Sequence, residues 1–131
     1  MKTILLVEDE VFFQKTISDI LTHNGFSIQV VSSWMDFTHT YFSMKEPPDI
    51  ILFDINLGGT VGGDKLLSTF RKNQEFLGKG SKTKLVLVSS LEEDELRNKA
   101  LLCRADGYIA KSSLTQLGEN NFVNKVRSYL S

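Results

Sequence analysis

Cysteine is almost missing from this chain: Cys103 stands alone among 131 residues. A single thiol excludes an internal disulfide framework and a Cys-rich zinc site, and a reducing cytoplasm is the expected setting. Proline occurs only as Pro47-Pro48. Charge of one sign is also lacking, since 15 Lys and Arg face 16 Asp and Glu. A protein that grips nucleic acid needs a basic face to neutralise phosphates, so no direct nucleic-acid contact is expected. No apolar run approaches the roughly 20 residues of a membrane span, and none is expected to insert. The run Ile4 to Val7 is too short for a signal peptide and is followed by acids. What remains is a composition of 41% hydrophobic and 24% charged residues. That is enough for the core of one soluble domain spanning residues 1–131, with no attached effector expected.

Three apolar runs stand out, Thr3 to Val7, Asp49 to Phe53 and Lys84 to Val88. None alternates with polar residues, so each predicts a parallel strand covered on both faces. Phe26 to Val31 and Gly107 to Ala110 fit as weaker strands. Helical spacing fills the intervals. Phe13, Ile17, Ile20 and Leu21 mark a helix over residues 11–23 that stops at Gly25. Ser33 is placed to cap a second helix, with Trp34, Phe37, Tyr41 and Met44 along its inner side and Pro47-Pro48 ending it. A third helix, about 64–77, turns Leu66, Leu67 and Phe70 inward. A fourth, about 92–103, opens on acids that favour a helix N-terminus. A fifth, from about 119, carries Phe122, Val123, Val126, Tyr129 and Leu130. Five β-α units imply a doubly wound parallel sheet, a flavodoxin-like (βα)5 fold with strand order 2-1-3-4-5. The polar loop Gly78 to Thr83 lacks the strand-then-helix context of a phosphate loop.

Ligands of such a sheet bind beyond the carboxyl ends of the strands, where the strand order reverses. The first strand runs into Glu8-Asp9-Glu10, the third into Asp54, the fourth into Ser89-Ser90 and the fifth into Lys111. Taken singly, each is most simply a cap, a turn former or a solvated charge. Together they set three carboxylates, a hydroxyl and an ammonium on one rim. Crowded carboxylates raise one another's pKa unless a cation relieves them. Mg²⁺ suits an all-oxygen site with few protein ligands, whereas zinc would call for histidine or cysteine, and His23 and His39 fall on helices. A carboxylate beside Mg²⁺ and a lysine can attack a phosphoryl group to give an aspartyl phosphate. Ser89 could then donate to a phosphoryl oxygen.

At these residues the chain resembles the receiver domains of two-component response regulators. The likeness runs from Ile4 to Leu130 and rests on four segments in order: Leu5 to Glu10, Asp49 to Leu57, Val86 to Ser90 and Ala105 to Lys111. The resemblance implies that Asp54 is the phosphoacceptor and that Glu8 and Asp9 hold Mg²⁺, with the backbone carbonyl of Asn56 completing the metal site. It implies that Ser89 and Lys111 assist at the phosphoryl group. It also implies that Ser89 and Tyr108 form the switch, moving inward on activation and remodelling the fourth-helix face. The implied donor is a sensor histidine kinase or a histidine phosphotransfer protein, and the implied output is contact with a downstream protein target. Outside this context Tyr108 would read as an ordinary strand aromatic. A homodimer through the face of the fourth helix, fifth strand and fifth helix is left open, with Leu96, Arg97, Ala100 and Leu101 on that helix.

Several positions depart from the family pattern. Ser112 follows Lys111 where the family usually has a cis-proline. A cis bond to serine costs about 3 kcal/mol, so this loop is expected to be trans or strained. Gly58 stands where proline is common, and the loop Gly58 to Gly63 reads one residue long, which aligns Gly63 rather than Gly62 with the family glycine. Its four glycines predict a mobile metal-side loop. Glu8 replaces the family's aspartate and favours contact through a bound water. The stretch Ser112 to Asn121 also reads a few residues long. None of these removes a reactive group.

Three other readings compete. A degenerate receiver acting as a phosphorylation-independent interaction module would show loss of Asp54, an acidic partner or Lys111, and none is lost. A haloacid-dehalogenase-like phosphatase needs a carboxylate two residues after the nucleophile, where Asn56 stands. A flavin carrier needs a hydroxyl-rich phosphate loop after the first strand, and Glu8-Asp9-Glu10 would repel the phosphate.

Overall fold

In the computed structural model, residues 1–56, 62–77, 82–114 and 119–130 are described. Five strands alternate with five helices: β1 (Thr3–Val7), α1 (Val11–His23), β2 (Ser27–Val31), α2 (Trp34–Ser43), β3 (Ile50–Asp54), α3 (Gly63–Leu77), β4 (Lys84–Ser89), α4 (Glu93–Cys103), β5 (Gly107–Ala110) and α5 (Glu119–Leu130). A short 3₁₀ turn, Lys111–Leu114, follows β5. All pairings are parallel and the order is β2-β1-β3-β4-β5. The expected flavodoxin-like topology is therefore the observed one.

Strand alternation sorts the core into two layers. Leu5, Val7, Ile51, Phe53, Leu85 and Leu87 face one side, where Phe37, Tyr41, Leu66, Leu67, Phe70, Leu96 and Ala100 cover them from α2, α3 and α4. Ile4, Leu6, Ile50, Leu52, Val86, Val88 and Ile109 face the other, beneath Ile17, Ile20 and Leu21 of α1 and Phe122, Val123 and Val126 of α5. Both faces being covered explains why these strands read as unbroken apolar runs.

Local chemistry sets the boundaries. The Ser33 hydroxyl accepts from the Asp36 amide at 3.1 Å and starts α2. Gly25, at φ +89°, turns the chain out of α1 in a conformation that L-residues rarely adopt. Arg104 closes α4 in the left-handed region at φ 64°. Gly107 leaves room for the Tyr129 ring, which lies where a Cβ would stand. The Tyr129 hydroxyl donates to the Tyr108 carbonyl at 3.0 Å and accepts from its amide at 3.2 Å, tying α5 to β5.

Some expectations need correction. The second helix ends at Ser43, short of the prolines; Met44 is its C-cap and still packs, half-buried, against the core. Trp34 is 39% exposed, because Phe37 and Tyr41, one turn apart, already fill the contact with the sheet. The Lys111–Ser112 bond, by contrast, is trans, as one of its two expected outcomes had it, there being no cis bond among the described residues. Leu96 and Ala100 pack against the sheet, so they cannot form an exposed dimer surface; Leu101, with Leu102 beside it, is exposed. The loop reading at Gly58 to Val61, most of the polar loop at residues 78–81, and residues 115–118 of the lengthened stretch lie outside the described residues.

Candidate functional site

Sheet register assembles the site. Val7 pairs with Phe53, so Glu8 and Asp54 leave neighbouring strands at the same level. Asp54 pairs with Val88 and Ser89 with Ala110, which puts Ser89 and Lys111 one step farther along the same edge. Here β1 and β3 are adjacent while their following helices lie on opposite faces, the crevice at which doubly wound sheets bind ligands.

Glu8, Asp54, Ser89 and Lys111 are buried polar residues, and Asp9 is half-buried. The Lys111 ammonium stands 2.8 Å from Glu8 Oε1 and 3.4 Å from Asp54 Oδ2. Asp54 Oδ1 accepts from the Asn56 amide at 3.2 Å, and Glu8 Oε2 accepts from the Glu10 amide at 3.2 Å. Burial pushes the Glu8 carboxyl up to about 7; its hydrogen bond and charge repulsion with Asp54 add to this, while Lys111 opposes it. The Ser89 hydroxyl accepts from the Leu91 amide at 3.1 Å, which holds its oxygen at the start of the loop into α4.

Gly63 brings α3 close to this edge. Its amide donates to the Ile55 carbonyl at 3.1 Å, and a Cβ there would collide with the Asp54 carbonyl. Tyr108 points away from the carboxylates: its hydroxyl accepts from Arg97 Nε at 3.1 Å, and Arg97 also reaches Asp94 at 3.4 Å.

Oxygens of Glu8, Asp9 and Asp54 all lie within 4.8 Å of one another. Among the described residues, Glu8 Oε1 and Asp54 Oδ2 are buried oxygens without an aligned hydrogen-bond donor, although the Lys111 ammonium is near both. An octahedral Mg²⁺ with bonds of about 2.1 Å holds opposite ligands about 4.2 Å apart. The cluster is therefore compatible with Mg²⁺ bound directly by some of these carboxylates and through water by another.

The structure thus brings Glu8, Asp9, Asp54, Asn56, Ser89 and Lys111 to one rim and leaves Tyr108 outside it. Sequence reasoning misses three neighbours. Phe13, expected only as a helix-face residue, lies under Lys111, with the ammonium 3.9 Å from the ring centroid. Gln14 Nε2 donates to the Glu8 carbonyl at 2.6 Å. Arg97, expected only on the surface of the fourth helix, holds Tyr108. A signal exists for the first two: a helix that begins directly after the acidic residues must carry its first-turn side chains close to the site.

Among the described residues, no helix is long and apolar enough to cross a membrane. A family model, the response regulator receiver domain, matches residues 4–122. The chemotaxis protein CheY of Treponema pallidum (strain Nichols) is 32% identical over 112 residues, covering 82% of this chain and 71% of the relative. The Vibrio cholerae chemotaxis protein CheY4 superposes with a TM-score of 0.80 at 15% identity, covering 99% of each chain. A CheY-like receiver domain protein of Methanospirillum hungatei JF-1 gives 0.76 at 22% identity, covering 99% of this chain and 94% of the other. The two structures share the fold; the family model and the Treponema relative carry the assignment. On that evidence, this chain belongs to the response regulator receiver domains and is similar to the single-domain chemotaxis regulators among them.

Proposed function

We propose that residues 1–131 act as one receiver domain that accepts a phosphoryl group on Asp54 and signals through protein contact. The observation that carries this reading is the Lys111 ammonium, within 3.4 Å of Asp54 and 2.8 Å of Glu8 beside a three-carboxylate cluster. An isolated buried cluster of acids would be costly. One that carries its own ammonium and has room for a second cation is arranged for an incoming anion.

In this reading an Asp54 carboxylate oxygen bonds to phosphorus as the phosphorus–nitrogen bond of a phosphohistidine breaks. The imidazole leaves with the electron pair and takes up a proton. Glu8, Asp9, Asp54 and the Asn56 carbonyl would hold Mg²⁺, which when bound would supply positive charge against the phosphoryl oxygens. Lys111 supplies the second positive charge from the β5 side. The Asn56 amide orients Asp54 through Oδ1. Ser89 exchanges its contact with the Leu91 amide for donation to a phosphoryl oxygen, and Tyr108 leaves Arg97 to follow it inward. The donor is a sensor histidine kinase or a histidine phosphotransfer protein in the cytoplasm. The remodelled face of α4, β5 and α5 meets a downstream protein target.

The deciding experiment incubates the protein with Mg²⁺ and a small-molecule phosphodonor and reads intact mass. The wild type gains one phosphoryl group and Asp54→Asn gains none. A folded wild type that gains none overturns this reading in favour of a phosphorylation-independent interaction module.

A further inference from the structure

We propose that Phe13 is a positioning residue for Lys111: the face of its ring cradles the ammonium and keeps it aimed at the phosphoacceptor. The inference rests on the phosphoacceptor reading of Asp54. Its own foundation is a contact that reading does not use, the Lys111 Nζ lying 3.9 Å from the Phe13 ring centroid.

Lys111 is buried, so its ammonium has given up most of its hydration and must be compensated by protein. Side-chain oxygens of Glu8 and Asp54 face it at 2.8 and 3.4 Å. The π face of Phe13 covers a further side. A desolvated cation over an aromatic face is held more strongly than the same pair in water. The ring itself is supported: it packs against the α1–α5 core layer, and Phe12 meets it edge-on with centroids 5.3 Å apart.

An aromatic partner does something here that a polar one would not. A carboxylate in its place would add another negative charge to an acidic cluster. A carbonyl or hydroxyl would bind one particular N–H and fix the direction of the ammonium. A π face attracts the whole cation and leaves its three N–H groups free to turn. That freedom suits a lysine that contacts Glu8 before phosphorylation and a phosphoryl oxygen after it. The first turn of α1 thereby sets the position of a group just beyond the end of β5, two segments that only tertiary packing brings together.

The test is a size-matched series in which Phe13 is replaced by mono-, di- and trifluorinated phenylalanine, with Phe13→Leu as the ring-free variant. Fluorination weakens the negative ring face and barely changes its bulk. Single-turnover phosphorylation by a small-molecule phosphodonor at saturating Mg²⁺ is read by intact mass, with thermal midpoints measured in parallel. The expected result is a stepwise loss of rate with fluorination, reaching about tenfold at the trifluoro ring, larger than the fraction unfolded in the parallel melts accounts for. In the metal-free protein, the Lys111 ε-methylene protons are shifted upfield by the ring and lose that shift in Phe13→Leu. A wild-type rate throughout the fluorinated series, or ε-methylene protons at their ordinary position, overturns the role of Phe13. A wild type that takes up no phosphoryl group overturns the Asp54 reading instead, a result distinguishable because the proton shift is measured without phosphodonor or metal.

Discussion

The ammonium of Lys111 sits closer to Glu8 than to Asp54, 2.8 Å against 3.4 Å. In this arrangement the lysine is held mainly by Glu8, not by the proposed phosphoacceptor Asp54. Burial still outweighs the lysine's influence, and Glu8 is pushed up to about 7.

That shift predicts a pH dependence with a defined sign. Below about pH 4.5 the Glu8 carboxyl is protonated in both folded and unfolded chains, and the shift costs nothing. Between about 4.5 and 7 only the folded chain keeps the proton, so metal-free stability falls as pH rises through this window. Denaturant titrations at pH 5 and pH 7.5 should show that decline, and Glu8→Gln should flatten it. Mg²⁺ competes with the same proton, so its affinity should climb over the same range. A Glu8→Gln protein as pH-dependent as the wild type counts against the assignment.

Ser89→Ala separates chemistry from response. The variant loses the contact with the Leu91 amide and about 1 kcal/mol of stability with it. It should still take up the phosphoryl group on Asp54. Amide exchange across α4 and β5, compared before and after phosphorylation, should then change in the wild type and stay constant in the variant. An unaltered response in Ser89→Ala removes this residue from the switch.

Arg97→Ala should loosen the outward position of Tyr108. The guanidinium donates to the Tyr108 hydroxyl at 3.1 Å while Glu93 and Asp94 hold it at 4.0 and 3.4 Å. In the proposed switch, removing it destabilises the outward arrangement alone, which shifts the population toward the inward one. Binding of beryllofluoride, a phosphoryl mimic, should tighten a few-fold, and the Tyr108 ring resonances should move toward their activated positions. Equal affinity in the two proteins would show that Arg97 does not bias the equilibrium.

Gly63→Ala tests the close approach between α3 and the active edge. The added methyl has to displace the Asp54 backbone, so a loss of about 1–3 kcal/mol is expected. On the proposed function, phosphorylation should slow by more than the fraction unfolded explains, because the strand end carrying Asp54 moves. Melting curves together with phosphorylation rates decide it; normal stability would mean that the backbone accommodates the methyl group.

Much of this was readable in advance because it depends on local pattern. Unbroken apolar runs announced parallel strands, and helical spacing announced α1, α3 and α5 close to their observed bounds. Each reactive side chain stands at or just beyond the carboxyl end of a strand, a position that the apolar runs already mark. Helix interiors were harder to orient. Trp34 shares a period with Phe37 and Tyr41, yet it lies at the margin because two aromatics suffice to cover that part of the sheet. Leu96 and Ala100 could be placed on α4 but not assigned to its buried side, since a weakly amphipathic helix offers no clear stripe to read.

By itself the sequence determined the order of elements, the strand ends that carry acid, hydroxyl and ammonium, the glycine that stops α1 and the serine that starts α2. Those features depend on backbone preference and on periodicity within a few residues. Tertiary structure alone decided which groups touch. The spacing of Lys111 between Glu8 and Asp54, the ring of Phe13 beneath it and the hold of Arg97 on Tyr108 depend on sheet register and on how α1 and α4 settle against the sheet. Segments far apart in the chain meet there, and no local pattern encodes the distance at which they do.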